Sequence, residues 1–95
     1  MAKQVIAKRK LPKDFVDKYL GKFTKRESQM FLELMVLYIH PEGLCWTAHI
    51  LGVTEELCEY LTNILVRYGV VYYEYSTTYK IIMYRIRGEY LRLGK

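Results

Sequence analysis

From Met30 to Tyr38 the apolar side chains fall at Met30, Phe31, Leu34, Leu37 and Tyr38, at steps of three and four residues. That spacing gathers them on one face and predicts an amphipathic helix. Ahead of it, Thr24-Lys25-Arg26-Glu27 has the form of a capping box, a hydroxyl at the N-cap and a carboxylate three residues on. His40-Pro41-Glu42-Gly43 ends the helix, because proline cannot continue the ladder and glycine permits the turn. Leu44 to Leu51 predicts a short helix closed by Gly52. Thr54 then caps a further helix whose apolar face is Leu57, Leu61, Ile64, Leu65 and Tyr68, and Gly69 stops it. Here the period changes. Val70 to Tyr75 and Tyr79 to Arg87 are β-branched and aromatic runs joined by Ser76-Thr77-Thr78, which predicts a hairpin. Upstream, Pro12 opens a short helix over 13–20 that Gly21 closes. Residues 1–10 are basic and aperiodic, expected as a flexible arm, and Glu89 to Lys95 is a tail or a final helical turn. The order is four helices and then two strands, a mainly α fold with a β-hairpin.

Composition narrows this to one domain. Ninety-five residues, 52% hydrophobic and 26% charged, describe a globular chain too small to bury a large core alone, which favours a second subunit. Ten tyrosines point the same way, since tyrosine joins apolar area to a polar tip. The net charge of +5 suits a polyanionic partner, but it is unevenly spread. Residues 1–26 hold nine cations against Asp14 and Asp17, and the stretch from Lys80 to Lys95 holds five against Glu89. Between them, residues 27–79 carry seven glutamates and a single arginine, Arg67. No run approaches the roughly 18 apolar residues of a membrane span. The basic start lacks the apolar core of a signal peptide, and Cys45 and Cys58 read as reduced thiols of a cytoplasmic protein.

The element order, with the tight Gly52-Val53-Thr54 turn, resembles the winged helix-turn-helix domain, closest to small bacterial and archaeal regulators of the PadR and MarR kind. The resemblance covers roughly residues 27–93. It rests on Ala48 to Thr54 at the short helix and turn, on Leu61 and Leu65 followed by Gly69-Val70-Val71, and on Tyr84-Arg85-Ile86 with Gly88-Glu89-Tyr90-Leu91. It implies a recognition helix at about 54–68 for the DNA major groove and a wing at 70–87. Residues 11–95 would form the winged domain, with an N-terminal dimerisation helix around Phe15, Tyr19 and Phe23.

Carried over to this chain, the groove-facing set is Thr54, Glu55, Glu56, Glu59, Tyr60 and Asn63, with Arg67 further along. Glu55 and Glu56 depart from the small polar and basic residues usual there. Their first-turn position complements the helix dipole. Glu59 is balanced between that structural role and acceptance from a cytosine amine. Base contact therefore falls to Tyr60 and Asn63. Phosphate attraction is expected from Lys8, Arg9 and Lys10, from Lys22, Lys25 and Arg26, and from Lys80 on the wing, with Thr47 and His49 as further backbone contacts. Arg85 and Arg87 share one face of the second strand and Tyr84 and Ile86 the other, with either face open to DNA.

Cys45 and His49 stand four apart, but no Cys-x-x-Cys or His-x-x-x-His pair accompanies them, so no metal site is expected. Trp46 is expected as a core or interface anchor. Nothing resembles a nucleophile with its base, a phosphate-binding loop or paired carboxylates, so the expectation is a non-enzyme without cofactor. Two function classes remain. One is a dimeric binder of palindromic double-stranded DNA, either a transcriptional repressor or a plasmid partition protein that spreads dimer to dimer, as the resemblance to archaeal plasmid and virus proteins suggests. The other is a winged helix that docks its acidic fourth helix on a basic protein partner.

Overall fold

A computed structural model of the chain describes residues 3–21 and 25–94. Lys22, Phe23 and Thr24, expected as a phosphate contact, a dimer contact and an N-cap, lie outside the described residues, as does the side chain of Lys25. The chain is mixed α/β, with four helices, an antiparallel hairpin and a second small strand pair.

Helix α1 opens at Lys13–Phe15 behind Pro12 and widens into a π-helical turn over Val16–Leu20 before Gly21. Phe15 and Tyr19, four residues apart, point the same way, into the interior. Helix α2 spans Lys25–Leu37, and its Phe31, Leu34 and Met35 are buried, with Tyr38 and Ile39 just beyond its end. Met30 and Leu37, expected on the apolar stripe, are half-buried at its margins. Helix α3 (Leu44–Leu51) ends at Gly52 in the left-handed region, φ 77°, where a Cβ would strain the backbone. Helix α4 (Glu55–Arg67) follows at once, its N-cap Thr54 accepting from the Leu57 amide at 3.1 Å. It buries Cys58, Leu61, Thr62, Ile64 and Leu65, whereas Leu57, placed by sequence on the apolar face, is exposed.

The hairpin is β2 (Val71–Ser76) against β3 (Ile81–Ile86), with Val71 opposite Ile86 and Tyr73 opposite Tyr84. Its turn is Thr77 to Lys80, one residue later in starting and two later in ending than Ser76-Thr77-Thr78 suggested. Lys80 takes a positive φ of 59°, and the Lys80 amide closes the turn on the Ser76 carbonyl at 2.7 Å. At its root the hairpin is bonded to the helices. Glu42 and Tyr84 exchange backbone hydrogen bonds of 3.0 and 2.8 Å, and the Ile86 amide donates to the Tyr38 carbonyl at 2.7 Å.

The expected arm carries regular structure. Gln4–Ile6 form strand β1, paired antiparallel with β4 (Leu91–Leu93), and Lys8–Lys10 form a 3-10 turn. The Ala7 amide donates to Tyr90 and the Gly94 amide to Lys3, both at 2.7 Å. This pairing joins the two ends of the chain, so no local periodicity signals it. It also replaces the tail or helical turn expected after Glu89 with a 3-10 turn over Gly88–Tyr90 and a strand.

One core serves all these elements. Phe15, Tyr19, Phe31 and Tyr68 form an aromatic cluster with ring centroids 5.3–5.7 Å apart, mostly tilted or edge to face. Phe15 is fully buried and Tyr19 nearly so. Both were expected at a subunit contact; the interior of the single chain takes them instead.

Candidate nucleic-acid interface

Helix α4 has two unlike sides. Opposite its buried face, Glu56, Glu59, Tyr60, Asn63 and Arg67 lie on consecutive turns and are all exposed, Tyr60 at 64%. Thr54 and Glu55 are exposed at the start of the same helix. The face opposite is fixed by packing. In particular, the Tyr38 hydroxyl pairs with Thr62 Oγ1 at 2.8 Å, which sets the roll of α4 on α2. Burial raises the ionisation of the Tyr38 phenol well above its ordinary range, and that of the Cys58 thiol as well.

Glu59 stands toward the root of the hairpin. Burial raises the Tyr84 phenol above its ordinary range, with the Glu59 carboxylate a further cause. Its charge therefore acts on the junction of helix and hairpin as well as outward.

Of the two backbone candidates on α3, Thr47 is buried, its hydroxyl bonded to the Gly43 carbonyl at 2.8 Å, and has no access to a phosphate. A threonine that satisfies its own hydroxyl on the preceding turn is free to enter the core. His49 is exposed, with its ring 5.9 Å from that of Trp46. Trp46 is itself 57% exposed, so it is no core anchor.

The basic candidates fall into separate groups. Lys80 is exposed in the hairpin turn and Arg26 on the first turn of α2. Arg85 and Arg87 are exposed, Arg87 6.0 Å from the centre of the Tyr72 ring, while Tyr84 and Ile86 face the core as the two-residue period required. Lys8, Arg9 and Lys10 are exposed on their 3-10 turn and share a shallow concavity with Arg92. Arg92 was not singled out by sequence. Its neighbourhood follows from the register that sets Val5 opposite Arg92, a pairing across nearly the whole chain. The four cations meet no carboxylate in the lining of that concavity.

Comparison with protein-family models, with curated proteins and with solved structures found no match. Among the described residues, no helix is long and apolar enough to cross a membrane.

Proposed function

We propose that the chain is a winged helix-turn-helix protein that binds double-stranded DNA as a two-fold dimer, with α4 in the major groove and the β2–β3 hairpin as wing. The observation that carries this reading is the continuous exposed polar row on α4, presented by a helix whose other side is locked into the core behind the Gly52 turn. Tyr60 and Asn63 read bases in this arrangement, and Arg67 meets backbone. The Lys8, Arg9, Lys10 and Arg92 cluster supplies sequence-independent attraction to phosphate.

With Phe15 and Tyr19 in the core, the dimer contact in this reading lies elsewhere. The best-suited surface is the apolar groove of about 780 Å³ between β1, α2 and α3, where Val36 and Ile50 are half exposed. Lys3 and Glu33 also line it, so both signs of charge are available for the reciprocal contacts of an isologous interface.

Selection from a random duplex pool, followed by anisotropy titrations, tests the reading. A palindrome with half-sites about 34 Å apart is expected, and Asn63→Ala should reduce its preference over random duplex about tenfold. Absence of binding to any duplex at low salt would refute it. Footprints confined to one palindrome support repression, and footprints that lengthen with protein concentration support partition. The exposed Glu55, Glu56 and Glu59 favour a second reading, α4 docked on a basic protein, which predicts association without DNA.

A further inference from the structure

Among the described residues, the large exposed aromatics lie mainly on α3 and the hairpin. Between these two elements lies an open groove of about 1140 Å³. Its helical wall is the start of α3, with Cys45, Trp46 and His49. Its other wall is the hairpin over Glu74 to Tyr79 together with Ile81 and Met83. Trp46, Tyr75 and Tyr79 are each more than half exposed, a cost in water that a ligand would remove.

Charge selects the class of ligand. The lining contains two carboxylates, Glu42 and Glu74, and neither lysine nor arginine, in a chain whose net charge is +5. Aromatic faces attract cations through their quadrupole, and carboxylates add direct attraction while repelling anions. We infer that this groove binds a hydrophobic organic cation, such as a quaternary ammonium bearing an aromatic ring.

The groove is built before the ligand arrives. The Glu42–Tyr84 backbone pair fixes the start of α3 to β3. Gly43 lies so close to β3 that a Cβ there would stand 2.7 Å from Ile81 Cδ1. The turn holding Tyr79 is closed by the Ser76 hydroxyl, which accepts from the Tyr79 amide at 3.2 Å. Little ordering therefore opposes binding. The site uses none of the α4 row or the Lys8–Arg92 cluster, but it shares the hairpin and His49 with the proposed DNA-binding surface, so the probe is titrated without DNA.

Trp46 is the chain's single tryptophan and serves as reporter. The probe is (4-hydroxyphenyl)trimethylammonium, compared with 4-tert-butylphenol, which has the same shape without the charge. Titration followed by Trp46 fluorescence and by amide and indole NMR shifts is expected to show saturable binding of the cation at the groove, about tenfold tighter than the neutral isostere. Glu42→Gln with Glu74→Gln should bring that ratio to about threefold or less while the isostere binds as before. Those side chains are half-buried and exposed, and retained far-UV dichroism and melting temperature verify the fold of the variant. Equal binding of the two probes overturns the inference, as does a preference that stays above about threefold in the double variant. So does absence of saturable shifts. Shifts at the groove that depend on protein concentration without probe show that a second copy fills it, and overturn it likewise.

Discussion

Tyr38 has its hydroxyl buried 2.8 Å from Thr62 Oγ1, and that burial gives the fold a specific response to alkali. The folded chain keeps the phenol protonated where the unfolded chain releases it. Above the unfolded phenol range, about pH 10, the native state binds more protons, so stability falls as pH rises. Below that range the contribution is complete. Tyr38→Phe is expected to cost about 1–2 kcal/mol at neutral pH, where Thr62 loses a partner. It should also flatten the decline in unfolding free energy, from urea titrations between about pH 9 and pH 11, by up to ~1.4 kcal/mol per pH unit. An unchanged slope would assign the alkaline sensitivity to Tyr84, Tyr90 and Cys58, which burial also raises. Thr54 offers a simpler test. Its side chain satisfies the Leu57 amide, so Thr54→Ala should cost about 1 kcal/mol and Thr54→Asn almost nothing in urea unfolding. Thr54 was legible in sequence because capping is a local matter. Thr47 was not: a hydroxyl bonded to its own preceding turn leaves no mark in the residue pattern.

The elements that sequence announced are those whose period is repeated along one segment. Helix α4 kept its apolar stripe through Leu61, Ile64 and Leu65, and β3 kept its two-residue alternation near the root, with Tyr84 and Ile86 buried and Arg85 exposed. Pairings between distant segments were hidden. Strand β1 and its partner β4 are three residues each, too short for a period, and they find one another only through the closure of the whole fold. The π-helical turn after Phe15 was equally silent. Phe15 and Tyr19, four residues apart, share the inward face of this segment, and with both in the core Val36 and Ile50 remain as the apolar band beside β1. That shift is testable at the level of the α2–α3 face. Val36→Glu with Ile50→Glu replaces half-exposed side chains, so far-UV dichroism should persist. Sedimentation should move from dimer toward monomer, with dissociation strengthened at least about tenfold. An unshifted dimer would place the subunit contact off this groove.

At the scale of the molecule, the uneven charge seen in sequence becomes a spatial arrangement that local reading could not supply. The pairing of chain ends unites Lys8, Arg9 and Lys10 with Arg92 in one concavity, while five of the seven glutamates of the central stretch lie on α4 or in the groove beside the hairpin. The proposed DNA recognition would divide the labour: affinity from the joined ends, discrimination from Tyr60 and Asn63. The division has a quantitative signature. Each phosphate neutralised on duplex DNA lowers the slope of log K against log salt by about 0.9, so removing four contacts should flatten it by about 3.6 per protomer. Gln at Lys8, Lys10, Arg9 and Arg92 together is therefore expected to weaken cognate and random duplexes alike and flatten the salt slope toward that limit. Asn63→Ala should leave the slope intact and erode only the preference for the cognate site. Anisotropy titrations across salt separate the two effects in one experiment. A quadruple variant with the parental slope would place phosphate contact on the hairpin cations Lys80, Arg85 and Arg87, and would leave the joined ends a structural seam.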